Sequence, residues 1–258
     1  MKNILFILFF SGLALKCLAQ NPEWIVYNTS NSVLPSNWVS SIAIDGTGNK
    51  WIGTAGGSGG LVKFDGTNWT VYNSELCANE IKSLAIDVNE NIWIGVGYFG
   101  GINLHGCLMK FDRDTIWISY NLPNSELTYN YVTLIDIDDF DNKWIVLPNI
   151  GLAKLDNSNL IIYNDTNSGL LSNMIYSIAI DNSNNIWLGT SYGLVKFDGI
   201  NWTIFNTTNS GLPSNTIGPI AIDENNHIWI ATFGKLTYFD GTNWTIYDMS
   251  NLQITQSV

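Results

Sequence analysis

The chain has 258 residues, with 22 acidic against 11 basic side chains and a formal net charge of −11. An acidic balance of this size argues against nucleic acid and anionic membrane surfaces as partners, since both require a basic face. Charged residues make up only 13% while glycine, asparagine, tryptophan and tyrosine are frequent. That mixture suits short strands and tight turns and leaves little room for long amphipathic helices.

Residues 1–19 read as an export signal. Lys2 gives a positive start, Ile4 to Leu15 is an apolar run, and Cys17-Leu-Ala19 offers small residues for cleavage before Gln20. The run is short for a membrane span, and Lys16 stands where a lipoprotein site needs a small residue. Removing this segment leaves 22 acidic and 9 basic residues, a net charge of about −13. The expected location is secreted or periplasmic, with no membrane span after signal removal. Two cysteines remain, Cys77 and Cys107, so the fold must rest on its core and not on a disulfide framework.

Trp24–Asn28 reads as a lone short strand, followed by a polar connector from Thr29 to Asn37. Ser41-Ile-Ala-Ile-Asp45 and Lys50-Trp51-Ile-Gly-Thr54 then form two apolar runs around a turn of small polar residues, a hairpin signal. After a glycine-rich link, Ala55 to Gly60, come Leu61-Val-Lys-Phe-Asp65, a Gly-Thr-Asn turn, and Trp69-Thr-Val-Tyr-Asn73. This four-strand unit recurs. Its first hairpin returns around Asp87 and Trp93, Asp138 and Trp144, Asp181 and Trp187, and Asp223 and Trp229, always six residues apart. Its third strand returns at Leu108–Asp112, Leu152–Asp156, Leu194–Asp198 and Leu236–Asp240. Its fourth returns at Trp117–Asn121, Leu160–Asn164, Trp202–Asn206 and Trp244–Asp248.

Between successive hairpin aspartates the period is 42, 51, 43 and 42 residues. Four strands in that length predict an all-β propeller of four-stranded antiparallel blades. The expected organisation is a propeller over 20–248, with blades at about 37–73, 79–121, 130–164, 173–206 and 215–248, the extra strand 24–28, and a tail at 249–258. Both ends offer the same strand type, so one is redundant in a ring of five. Part of a six- or seven-bladed ring is the alternative.

The motif Asp-x-x-x-Asn-x-Trp-Ile-Gly-Thr followed by Gly-Leu-x-Lys-Phe-Asp-Gly resembles the two-component regulator propeller repeat. The resemblance spans residues 24–248. It implies an extracellular or periplasmic sensor portion of a bacterial hybrid signalling receptor, or a secreted protein of the Bacteroidetes type. The third unit departs most, with Val146-Leu147 for Gly-Thr, Leu155 for Phe and Leu160 for Trp.

Candidate function lies where the repeat breaks. In a propeller the loops between fourth and first strands, and between second and third strands, emerge on one face. Trp93 to Phe111 spans 18 residues against 10 for Trp187 to Phe197, which places an eight-residue insertion within Val96–Cys107. Trp38, Tyr98, Phe99, His105, Tyr129, Tyr131, Tyr192 and Phe233 fall on that face. Aromatic rings beside neutral amides suit an oligosaccharide or a peptide ligand. Cys77 and Cys107 emerge on this face of one blade, and export places them where disulfides persist, so a bond between them is expected.

Weaker candidates are Asp136–Asn142, which has the composition of a calcium loop but overlays an ordinary hairpin turn, and His105 with Cys107, too few ligands for structural zinc. Neither metal nor cofactor is expected. The expected function is a non-catalytic ligand-binding or sensor-like module, and a monomer. The alternatives are a structural interaction propeller, or a propeller lyase or hydrolase drawing on His105, Glu75, Glu80 and Glu126.

Overall fold

A computed structural model of the chain describes residues 25–73, 75–98, 105–113, 117–120, 131–156 and 159–248. The signal segment, the tail 249–258, Phe99, Glu126 and Tyr129 lie outside the described residues. Among these residues twenty strands form five four-stranded antiparallel sheets, each a simple meander. The first contains β1 (Val39–Ile44), β2 (Lys50–Thr54), β3 (Gly60–Phe64) and β4 (Trp69–Tyr72). The second contains β5 (Ile81–Ile86), β6 (Ile92–Tyr98), β7 (His105–Phe111) and β8 (Trp117–Tyr120). The third contains β9 (Leu134–Ile137), β10 (Lys143–Leu147), β11 (Gly151–Leu155) and β12 (Leu160–Tyr163). The fourth contains β13 (Ile175–Ile180), β14 (Ile186–Thr190), β15 (Leu194–Phe197) and β16 (Trp202–Phe205). The fifth contains β17 (Ile220–Ile222), β18 (Ile228–Thr232), β19 (Lys235–Phe239) and β20 (Trp244–Asp248).

The six-residue spacing of aspartate and tryptophan has a direct physical cause. In every sheet the indole N–H of the tryptophan donates to the aspartate that closes the first strand, at 3.0, 2.9, 2.9, 2.9 and 3.3 Å from first to fifth. The other carboxylate oxygen accepts backbone N–H groups of the turn, as Asp181 does from Ser183 and Asn185. One carboxylate therefore caps the turn and satisfies a buried indole donor. Burial alone would raise Asp45, Asp87 and Asp181, but these hydrogen bonds outweigh it and hold all three below the usual carboxylate range. Asp138, in the segment with a calcium-like composition, makes the same bonds to Phe140, Asn142 and Trp144.

Consecutive sheets pack face to face, inner strand on inner strand: β1 on β5, β5 on β9, β9 on β13, β13 on β17. The core lies between the sheets. Trp51 meets Phe111 of the next sheet edge-on at 5.9 Å, Trp144 meets Phe197 at 6.0 Å, and Trp187 meets Phe239 at 6.3 Å. Two kinds of polar stitch accompany the packing. Ser41 and Ser83 accept the backbone N–H of Leu84 and Ile135 in the following sheet, each at 3.0 Å, and Ser177 donates to the Gly218 carbonyl at 2.7 Å. At the opposite edge, the first turn residue of one sheet donates its N–H to a side chain of the next: Gly46 to Glu90, Asp139 to Asn184, Asn182 to Asn226.

The five sheets form an arc that does not close. Among the described residues no comparable packing joins the fifth sheet to the first, which accords with part of a larger ring. The predicted lone strand 24–28 also differs from expectation. Residues 25–28 pair with no strand, yet Tyr27 lies on Phe64 and Trp69 at 5.6 and 5.2 Å. Tyr72 holds the same relation to Phe111 and Trp117 at 5.2 and 6.4 Å. The segment therefore occupies the place of a fourth strand with no third strand beside it.

Candidate functional site at the mouth

The connectors entering each inner strand and the turns leaving each second strand collect on one rim. Trp38, Tyr192 and Phe233 stand there 68%, 55% and 82% exposed. Tyr192 and Phe233 occupy the tight turns β14–β15 and β18–β19, closed by Gly193 and Gly234 at φ 136° and 66°. A residue with φ in this region is most readily a glycine, so the turn pushes the preceding aromatic outward.

Tyr131 departs from the expected exposed ring. It is buried, with its ring against Gly97, where any Cβ would overlap it. Burial, with the charge of Glu80 a lesser cause, pushes its hydroxyl up to about 12. One edge of Tyr131 lines a hollow of about 310 Å³ between the third and fourth sheets, together with Leu134, Pro148, Asn149, Met174 and Tyr176. Phe233 lines a second hollow of about 230 Å³ with Pro219 and Thr232. The Thr232 hydroxyl is buried there with no hydrogen-bond partner among the described residues. Each of these two hollows holds one of the predicted aromatics, Tyr131 and Phe233; the side chains of Tyr98 and His105 lie outside the description.

The sequence reading missed Met174 and Tyr176, which are 49% and 43% exposed at the first hollow. A signal was present. Met174 stands at the repeat position of Trp38, Glu80, Tyr131 and Thr216, between an Asn and a Val or Ile at the entry to the inner strand. That position differs in every unit, whereas the Asn before it and the Val or Ile after it recur, so the repeat does not fix it.

The insertion in the second unit is less of a loop than expected. Gly97 and Tyr98 pair with Gly106 and His105 beyond the Val96–Cys107 pair, so part of it lengthens the β6–β7 hairpin. Val96 and Cys107 are buried. Cys107 is disulfide-bonded to Cys77 in the entering connector, with Cα atoms 6.5 Å apart. Glu80 pairs with Lys82 at 2.8 Å.

A third hollow, about 180 Å³, lies between the second and third sheets on the outer side, lined by Trp93, Lys110, Lys143 and Leu155. It opens where Leu155 replaces the phenylalanine that fills this place elsewhere. In the other four units that phenylalanine stacks on the fourth-strand tryptophan at 4.1–4.3 Å, whereas here Leu155 pairs with Leu160. Lys143 lies over Trp93 at 4.9 Å and bonds Asp141.

No curated protein is matched by this sequence. Among solved structures, the chain is similar to the extracellular domain of the hybrid two component system BT3049 from B. thetaiotaomicron, with 26% identity and a TM-score of 0.67. That match covers 86% of this chain but 29% of the other. Virginiamycin B lyase from Staphylococcus aureus shares the fold at 13% identity and a TM-score of 0.65, covering 82% of this chain and 70% of that one. So does PorZ, a surface component of the type-IX secretion system of Porphyromonas gingivalis, at 18% identity and a TM-score of 0.56, covering 76% and 32%. The two component regulator propeller family matches residues 169–192 and 211–234, the stretches that run from a fourth-to-first connector through the hairpin of the following sheet. The chain is thus an all-β propeller in which residues 169–192 and 211–234 match the two component regulator propeller repeat.

Proposed function

We infer that this chain is a non-catalytic, extracellular or periplasmic sensor-like module that binds a neutral ligand with a flat apolar face, of the oligosaccharide class, at the mouth between the third and fourth sheets. The observation that carries this reading is the hollow of about 310 Å³ in which a buried Tyr131 and an exposed Tyr176 flank apolar walls, with the Asn149 amide at the rim. Sugar rings bury their C–H faces on aromatic rings while amides and hydroxyls hold their rim of OH groups. A rigid sheet scaffold fixes those rings before the ligand arrives, which limits the ordering cost of binding. Export is supported by the disulfide, by the N-terminal signal pattern, and by likeness to an extracellular sensor domain.

The experiment is a glycan array with the exported chain, followed by titration of any bound glycan against Tyr176→Ala. Loss of one stacking ring is expected to weaken binding about tenfold, equivalent to about 1.4 kcal/mol. Trp38→Ala, outside the hollow, should bind within about twofold of wild type. A folded sample that retains no glycan, or a Tyr176→Ala variant of unchanged affinity, rejects the reading.

A further inference from the structure

The two ends of the arc carry the two halves of the interface that the molecule uses between its own sheets. On the trailing side of the fifth sheet, Trp229 is only partly covered, although Trp51, Trp93, Trp144 and Trp187 are at most 4% exposed. Tyr247 beside it is 46% exposed and lies nearly parallel to it at 6.1 Å. On the leading side of the first sheet, Ile42 is 58% exposed, while Leu84 and Ile135 at the same repeat position are 7% and 6% exposed. Ile44, two residues on, is 64% exposed. Each surface is apolar because an equivalent surface is covered by a neighbouring sheet elsewhere in the chain.

We propose that a second copy of this chain docks head to tail, seating the trailing face of its fifth sheet on the leading face of the first. The occupant is specified by the internal interfaces. At three of the four internal interfaces a fourth-strand aromatic lies on the phenylalanine of the following sheet: Tyr72 on Phe111 at 5.2 Å, Tyr163 on Phe197 at 5.3 Å, Phe205 on Phe239 at 5.6 Å. Phe64 is the one such phenylalanine preceded by no sheet. Tyr27 covers it from a segment that pairs with no strand. Trp24-Ile-Val-Tyr-Asn28 and Trp244-Thr-Ile-Tyr-Asp248 share one pattern. Strand β20 of a second copy, arriving with its sheet already formed, therefore competes for the seat that residues 25–28 hold alone.

The same comparison sets the strength of the contact. Pro219 replaces the serine that stitches sheets together at the inner strand, and Gly48 replaces the side chain that receives a turn N–H at the other edge. Neither stitch can form between copies, so the association rests on apolar burial. It is weaker than the internal interfaces, is opposed by a net charge of −11, and is strengthened by salt. Because the two faces differ, the contact is heterologous and adds copies without limit unless the rotation closes a ring.

The test is sedimentation velocity on the full chain across a wide concentration range, with Ile42→Asp to block the leading face and Tyr247→Asp to block the trailing face. Both side chains are exposed, and circular dichroism checks that each variant folds. Wild type is expected to grow beyond a dimer with concentration, each variant alone to stay monomeric, and their equal mixture to give a one-to-one dimer and nothing larger. Tyr27→Ala should tighten wild-type association by about tenfold, because the seat is vacated. A wild type that stays monomeric at every concentration overturns the proposal. So does a variant that dimerises alone, which would mark a two-fold contact, or a mixture that yields no dimer.

Discussion

At the scale of single residues, one carboxylate does two jobs in each unit, and one other carboxylate is buried with weaker support. Asp136 stands where the other four units have alanine, on the inner strand of the third sheet facing the fourth. It accepts the N–H of Ile137 at 2.9 Å and that of Ile180 across the interface. Burial dominates over these bonds, and the nearby charge of Asp138 adds to it, so the carboxyl is pushed from 3.8 up to about 6. The consequence has a definite sign. A folded value above the unfolded one means no cost below pH ~4, a cost that grows as pH rises through 6, and its full size at neutral pH, about 3 kcal/mol. Asp136→Asn keeps the acceptor oxygen and removes the charge. It should raise the melting temperature at pH 7.5 and leave it nearly unchanged at pH 3.5. Asp45, Asp87 and Asp181 act in the opposite direction, since their depressed values contribute stability that is lost on acidification. They are common to both proteins, so the difference between the two melting curves isolates Asp136.

At the scale of elements, the second sheet shows how an insertion is absorbed. Four more residues of strand pairing would be marginal at the exposed rim of a hairpin, but Val96 and Cys107 are buried and the disulfide ties β7 to the connector at Cys77. The bond closes a loop across a sequence separation of 30 residues. A loop of that length removes about 3.5 kcal/mol of chain entropy from the unfolded state in the loop-closure account. Reduction, or Cys77→Ser, should therefore lower the unfolding free energy by about that amount, read as a lower denaturation midpoint, without changing the circular dichroism of the folded chain. Gly97 lies inside the same hairpin against the Tyr131 ring, so the hairpin also props the rim residue that flanks the mouth hollow.

At the scale of the whole molecule, stability is a sum of sheets and the interfaces between them, as in other repeat architectures. An interior sheet has two interfaces and a terminal sheet has one. Trp187→Ala removes a side chain held between two sheets and should cost about 3–5 kcal/mol. Trp229→Ala removes one with a free face and a longer, 3.3 Å bond to its aspartate, and should cost less than half as much in chemical denaturation. Equal costs would mean that the fifth sheet is covered in solution, which the head-to-tail contact would supply at high concentration. Amide exchange should be fastest in the first and fifth sheets for the same reason.

The repeat length, the strand order within each unit, and the aspartate–tryptophan spacing were all legible in the sequence, because each is a short-range device: a turn cap, a hairpin register, an indole donor with one acceptor. The entry position that varies from Trp38 to Met174 was also written there, since it differs in every unit while the Asn before it and the Val or Ile after it recur. What pairs with what beyond one unit was not. Tyr131 reads like Tyr192 in sequence, yet one is buried against Gly97 and the other is exposed at a turn, a difference made by the neighbouring sheet. Residues 25–28 have the sequence of a fourth strand and no described third strand beside them, and Trp229 has the sequence of a core residue and no described sheet to cover it. Local hydrogen bonding and periodicity determine the blade; only the packing of blades in space, which depends on curvature summed over all of them, decides which faces are core and which are left open.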